Sequence, residues 1–541
     1  MGWMADETGL ERNAANFVAL TPLSHLRRAA DIFPDHPAVV YGAHRKTYGE
    51  YHDRCTRLAA ALAGMGVAPG DVVATILPNI PAQAEAHFGV PACGAVLNTI
   101  NTRLEADTVA YIFGHGRAKV ALVDSQFMAL AEAATELMDG DGPTIIEVPD
   151  PHAGHPASGR YPQYEDMLAQ ADSGFAWIMP EDEWESLALN YTSGTTGRPK
   201  GVVYHHRGAY LSTFSQVVSW NMTQRPKYLT IVPLFHCNGW CHTWMMPLLG
   251  GTLICCRDIT AGAIYDAIAD EGATHFAGAP IVLNMIVNAR PDERRAFDHV
   301  VEVFTAGAPP PAATLARVEP LGFNITQVYG LTETYGPGTE CLWRPEWDGL
   351  PDDERFEIKA RTGIRMPMME EITVMDETMT PVARDGATLG EIMFRGNVVM
   401  KGYFRNPEAT ARDFAGGYFH TGDIAFQTPD GYIKIADRAK DIIISGGENI
   451  SSVEVEAVLM KHADVSLCAV VAKPDMKWGE VPCAFVELKE GAAVDEAGLI
   501  AFARQHLAGF KTPKRVLFQE LPKTSTGKIQ KFQLREIARS L

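Results

Sequence analysis

The chain has 541 residues, of which 46% are hydrophobic and 21% charged, a composition that buries a large core and excludes disorder or a collagen-like repeat as the main state. The formal charge of −19 repels polyphosphate backbones and anionic membrane surfaces, so no nucleic acid is expected as a partner and any anionic ligand must be held by local chemistry. Nine cysteines, scattered and odd in number, fit reduced thiols and a cytoplasmic location better than a disulfide framework.

The acidic segment Met1-Gly-Trp-Met-Ala-Asp-Glu7 holds no apolar stretch of signal length, so export is not expected. The longest apolar run, 239–256, is interrupted by His242, Pro247, Gly250 and Gly251 and falls short of a membrane span, so no stable membrane insertion is expected. Further along, β-branched runs alternate with helical patterns: a strand over 72–77, a helix over 81–88 and a strand over 96–100, then a strand over 300–305, a helix over 310–319 and a strand over 325–329. This is the βαβ pattern of an α/β fold with parallel sheets, whose functional loops sit at strand carboxyl ends. Residues 371–394 change to short strands between turns, which predicts an antiparallel, β-barrel-like part, and Asp430-Gly431 marks a hairpin turn. After the charged junction Ala436-Asp-Arg-Ala-Lys-Asp441, about a hundred residues show their own βαβ-like alternation, with strands over 468–471 and 483–488 and a helix over 495–506. The expected organisation is a large N-terminal domain over 1–436, a hinge over 437–441 and a small mobile C-terminal α/β domain over 442–541.

The densest chemical signal is Tyr191-Thr-Ser-Gly-Thr-Thr-Gly-Arg-Pro-Lys-Gly201, which follows a strand-like 187–191. Gly194 and Gly197 let backbone N–H groups turn inward, Thr192, Ser193, Thr195 and Thr196 add hydroxyls, and Lys200 adds charge, so the loop can wrap phosphate oxygens. A solvent-exposed polar loop would account for the glycines and threonines but not for their density beside a lysine. The spacing is not that of the common P-loop.

This segment resembles the signature loop of the adenylate-forming superfamily, which comprises acyl-CoA synthetases, peptide-synthetase adenylation domains and luciferases. Further matches follow in chain order. Ala306-Gly-Ala-Pro309 and Tyr329-Gly-Leu-Thr-Glu-Thr334 resemble its adenine and phosphate segments, His420-Thr-Gly-Asp423 its ribose segment, Asp437-Arg438 with Ser445-Gly-Gly-Glu-Asn449 its hinge region, and Pro522-Lys-Thr-Ser-Thr-Gly-Lys528 its terminal lysine motif. The resemblance implies ATP, Mg²⁺ and coenzyme A: a carboxylate displaces pyrophosphate to give an acyl-adenylate, and a thiol then expels AMP.

It further implies nucleotide contacts from Thr192, Ser193, Gly194, Thr195, Thr196, Gly197, Lys200, Gly307, Ala308, Pro309, Tyr329 and Gly330, with Thr332 on the α-phosphate. Thr196 and Glu333 would hold Mg²⁺ through oxygen. Asp423 would accept from both ribose hydroxyls while Arg438 donates to the same sugar. Ser445, Gly446, Gly447 and Glu448 would line the coenzyme A tunnel, Lys440 would be the hinge residue, and Lys528 would be catalytic, meeting charge that develops during adenylation. Taken singly, Asp423 reads as a turn residue, Arg438 as a surface ion pair and Lys528 as a solvated lysine; the ordered set raises each above that.

His236-Cys-Asn-Gly-Trp-Cys-His242 packs two histidines and two cysteines into seven residues. Zinc sites draw on separated ligand pairs that converge tetrahedrally, which disfavours a zinc reading here. By resemblance, His236 is instead the gate between acyl pocket and thiol tunnel, and Trp240 and Gly307 line the acyl pocket. The segment is similar to that of short- and medium-chain or aryl-propenoate acyl-CoA ligases, the 3-methylmercaptopropionate-CoA ligases among them. The expected partners are a small carboxylic acid such as 3-(methylthio)propanoate and coenzyme A, with a homodimer left open. A cinnamate-type ligase and a nucleotide-binding protein without ligase activity are the alternatives.

Overall fold

The computed structural model describes residues 8–192, 198–307, 312–438, 440–445, 448–523 and 529–541. Two large mixed sheets draw their strands from between Pro37 and Tyr403. One has seven strands in the order Gly402–Tyr403, Gly201–His205, Ser186–Tyr191, Val96–Thr99, Val72–Ile76, Ala118–Asp124 and Thr144–Val148, and its last five strands are parallel. The other has nine, from Ile364–Arg365 through Gly336–Glu340, Phe323–Leu331, Val301–Thr305, His275–Gly278, Lys227–Leu229, Thr252–Ile254 and Pro37–Tyr41 to His44–Thr47, with a parallel centre.

The local chemistry explains these elements. The run Val72-Val-Ala-Thr-Ile76 is buried along its whole length, as a strand covered on both faces must be. Pro81 opens the helix Pro81–Ala92, where its missing N–H costs nothing. Thr47 and Glu50 form a reciprocal capping box that starts the helix Tyr48–Gly64. The two sheets are tied by Arg257, which grips both Asp124 oxygens at 2.8 Å and Asp150 at 2.9 Å. Taking three charges out of water is tolerable only with this paired geometry.

The strands Glu371–Met375, Gly390–Arg395, Phe419–Gln427 and Ile433–Arg438 form a four-stranded antiparallel sheet. A two-way backbone bridge between Gly363 and Ile433 joins it to the edge of the nine-stranded sheet, giving the barrel-like part. Gly431, at φ +87°, makes the turn between its last two strands.

The C-terminal residues depart from the βαβ expectation. Val465–Asp475 and Gly479–Leu488 are long strands paired antiparallel as a hairpin. The reason lies in the three residues between them: Asp475 Oδ1 accepts the backbone N–H groups of Lys477 and Trp478, both at 2.9 Å, and Gly479 takes φ +78°. Among the described C-terminal residues, only Gly479–Leu488, the helix Glu496–His506 and Arg515–Phe518 form a parallel crossover. All nine cysteines are free and buried. Among the described residues, no helix is long and apolar enough to cross a membrane.

Candidate active site

The carboxyl ends of strands from both large sheets meet around the segment 230–242. Asn79, just beyond the strand Val72–Ile76, donates to the Thr230 carbonyl at 2.7 Å and accepts from the Leu234 N–H at 2.7 Å. Thr99, at the end of its strand, donates to the Phe235 carbonyl at 3.0 Å. These side chains deliver the chain to His236, a half-buried residue whose N–H bonds Pro233 and whose carbonyl accepts from Gly239.

Past His236 the backbone does something the sequence does not advertise. Cys237, Asn238, Gly239, Trp240 and Cys241 all have positive φ, between 42° and 65°. This is a left-handed turn, and each non-glycine residue in it costs about 1–2 kcal/mol. Only Asn238 and Gly239 are residue types that favour it. Asn238 is clamped by the Asn190 amide and donates to Thr99 Oγ1 at 3.3 Å. The turn buries Trp240 and seats it on Gly336, where a Cβ would come within 3.0 Å of the indole. Gly330 is equally constrained, since a Cβ there would meet the Gly336 carbonyl. Cys237, Cys241 and His242 face three different partners, Thr332, the Tyr335 carbonyl and Gln216, and among the described residues no group of three or more metal-ligating side chains occurs.

The strand Phe323–Leu331 and the turn Thr332–Thr334 supply the polar wall. The Tyr329 hydroxyl donates to Asp423 Oδ2 at 2.6 Å, and Arg438 Nε lies 3.3 Å from Asp423 Oδ1, directly opposite in the antiparallel register. Thr332 Oγ1 shares a hydrogen with Cys237 Sγ at 3.2 Å, and its carbonyl accepts from the Tyr204 hydroxyl at 2.6 Å. Burial pushes the Cys237 thiol up to about 12, so it stays protonated. Glu333 is buried with its carboxylate receiving the Tyr403 hydroxyl at 2.9 Å, and burial raises its pKa above the ordinary value. Lys200 lies over the Tyr403 ring, 3.7 Å from its centroid, and pairs with Asp413 at 3.0 Å. Gly307 takes φ +95°, and among the described residues no atom lies within 4 Å of where a Cβ would sit.

Of the residues singled out in the sequence, Lys200 and Glu333 meet at Tyr403, and Tyr329, Asp423 and Arg438 form a second linked group. The strand Phe323–Leu331 and the turn Thr332–Thr334 carry Tyr329, Thr332 and Glu333 along one wall, and Thr332 meets Cys237 in the segment that holds His236 and Trp240. The Thr192 N–H bonds the Lys200 carbonyl at the base of the loop. Ser193, Gly194, Thr195, Thr196, Gly197, Ala308, Pro309, Gly446, Gly447 and Lys528 lie outside the described residues. Ser445 and Glu448 pair across a hairpin in the C-terminal sheet, and Lys440 lies in the turn after the strand Ile433–Arg438. Among the described contacts, none joins Ser445 or Glu448 to the Asp423 wall. Asp413, Tyr403, Tyr204 and Gln216 carry no motif and were not legible as site residues.

Residues 26–404 match the family model described as AMP-binding enzyme, and residues 454–528 match the AMP-binding enzyme C-terminal domain. The chain belongs to the AMP-binding enzyme family. It is 49% identical to the peroxisomal acetate/butyrate–CoA ligase of Arabidopsis thaliana, over 99% of this chain and 97% of that protein. It is 43% identical to the peroxisomal trans-cinnamate:CoA ligase of Petunia hybrida, over 98% and 96%. The fold matches the ATP-bound crystal structure of MatB from Rhodopseudomonas palustris with a TM-score of 0.81 at 26% identity, covering 95% of this chain and 98% of that one. The family member is an enzyme, an AMP-forming acid–thiol ligase. One expectation is corrected: the cytoplasmic location is contradicted by the peroxisomal names of several relatives. Thiol count and net charge report redox and ionic surroundings, and neither encodes an address.

Proposed function

We propose that this AMP-forming ligase uses ATP, Mg²⁺ and coenzyme A to convert a short carboxylic acid to its acyl-CoA thioester through an acyl-adenylate. The observation that carries the short-acid reading is Trp240, seated on Gly336 at the head of the polar wall. A buried indole there shortens the space next to Thr332, favouring acids of about four to six heavy atoms, because pocket volume limits apolar ligands. The acetate/butyrate activity in the name of the Arabidopsis relative supports the same size class. Asp423 and Arg438 would hold the ribose and Thr332 the α-phosphate. Glu333 is a buried oxygen donor, which suits a hard cation; with Thr196 it would hold Mg²⁺, which neutralises phosphate charge.

The second reading, an aryl-propenoate acid, is favoured by the petunia relative. A single panel decides between them: AMP release that depends on both ATP and coenzyme A, measured with acetate, butyrate, 3-(methylthio)propanoate, hexanoate and cinnamate. Butyrate-sized acids should turn over fastest, and Lys528→Ala should lose on the order of 10²-fold or more in adenylate formation with the fold intact. Preference for cinnamate or hexanoate would sink the short-acid reading, and undiminished pyrophosphate exchange in Lys528→Ala would sink the role given to that lysine.

A further inference from the structure

Gln216 sits in the helix His206–Ser219 with no exposure to solvent, and both ends of its carboxamide are engaged. Nε2 donates to the Trp240 carbonyl at 2.8 Å and to Ser212 Oγ at 3.3 Å, while Oε1 accepts from His242 Nε2 at 2.7 Å. A carbonyl can only accept, so the Trp240 contact fixes which way the amide points. That orientation in turn fixes His242 as the tautomer protonated on Nε2, and burial keeps this histidine neutral. One side chain therefore clamps the backbone of Trp240 and the side chain two residues further on.

The clamp acts on a segment with little preference of its own for the shape it holds. Five successive residues with positive φ persist only where the surroundings over-determine them. Asn238 is held from the side of the seven-stranded sheet by Asn190 and Thr99. At the opposite end the Cys241 thiol contacts the Tyr335 carbonyl, and Gln216 bonds the backbone carbonyl of Trp240, the residue carrying the indole. With that bond gone, the end of the turn can relax toward ordinary backbone geometry, and the indole has no reason to stay over Gly336.

We propose that Gln216 is a positioning residue that sets the acyl-length limit, by locking the left-handed turn and so holding Trp240 in the pocket. The proposal rests on the reading that Trp240 closes the acyl pocket, and the test separates the two. Steady-state kcat and KM are measured for butyrate, hexanoate and ATP in Gln216→Met, which keeps the length of the side chain and removes its bonds to Trp240, Ser212 and His242. Gln216→Asn, which keeps the carboxamide but withdraws it by one methylene, is measured alongside in case the first variant does not fold. Trp240→Ala and the double variant complete the set.

The hexanoate-to-butyrate ratio of kcat/KM should rise about 10-fold or more in Gln216→Met, chiefly through KM for the acids, with KM for ATP unchanged. Gln216→Asn should shift it in the same direction. The double variant should add nothing to Trp240→Ala, because the two act through one element. A ratio within about twofold of wild type in the folded Gln216 variants, while Trp240→Ala shifts it, would overturn the proposal. So would an equal loss of kcat on every acid, which is what a merely structural glutamine gives. An unchanged ratio in Trp240→Ala would instead remove the pocket reading, and this proposal with it.

Discussion

Tyr329 and Asp423 are joined by a 2.6 Å hydrogen bond that spans from the nine-stranded sheet to the antiparallel sheet. Burial first, and the Asp423 charge second, push the Tyr329 hydroxyl well above its ordinary pKa, so it stays a donor at any working pH. The bond orients a carboxylate whose other oxygen faces Arg438, so Asp423 is held in one geometry for the ribose we propose it binds.

Tyr329→Phe removes that donor. A hydrogen bond to a charged group contributes roughly 1.5–3 kcal/mol, so KM for ATP should rise by about 10-fold or more, while KM for the acid stays near wild type. Initial-rate measurements varying ATP and acid separately read both. An ATP KM that does not move would place Asp423 outside nucleotide recognition.

Glu333 must be ionised to hold a cation, and its buried site raises the pKa at which that happens. The Tyr403 hydroxyl opposes the shift by donating to the carboxylate. Removing it in Tyr403→Phe therefore raises the pKa further, and the acid limb of the kcat/KM profile for Mg–ATP should move to higher pH. A limb that stays put or moves down would detach the carboxylate from catalysis.

Lys440 lies in the turn between the antiparallel sheet and the C-terminal strands, where we propose a hinge. With Lys528 given, as proposed, to the phosphates during adenylation, thioester formation calls for that place to open, so one arrangement would not serve both steps. Lys440→Pro would fix φ near about −65° and block the change. Paired single-turnover assays should show adenylate still forming while transfer to coenzyme A collapses; equal retention or equal loss of both halves would count against the hinge.

His25, His87, His205, His206, His242 and His275 are buried, and burial lowers their pKa values to about 3 or 4. In the unfolded chain they bind protons near about 6.5. Below that pH the unfolded state holds more protons than the folded one. Stability should then fall as pH drops from about 6.5 toward 4, by about 1.4 kcal/mol per pH unit for each histidine. Denaturant unfolding between about pH 7 and pH 5 checks the direction, and His25→Gln should lessen the slope by about one proton. A flat profile would mean that the histidines titrate alike in both states.

The parallel strands are legible in the sequence because a run such as Val72-Val-Ala-Thr-Ile76 has to be apolar on both faces. The hairpin Val465–Asp475 with Gly479–Leu488 is not, because its turn is made by an aspartate side chain and one glycine around exposed Met476 and Trp478, which resemble strand residues more than turn residues. Within the site, glycines and charged residues in dense motifs can be found by eye. Gln216 and Tyr403 cannot, since their meaning comes from partners 24 and 70 positions away. The left-handed turn is hidden for a related reason: Cys237, Trp240 and Cys241 do not favour positive φ, and tertiary contacts impose it.

The burial of all nine thiols turns the native chain into a silent target for alkylating reagents, and reactivity into a clock for opening. Cys468 and Cys483 lie in the C-terminal hairpin, while Cys55, Cys93, Cys255 and Cys256 lie within the body formed by the two large sheets. Peptide-resolved labelling over time would therefore rank the two regions by how often each exposes its interior, with no engineered probe in either.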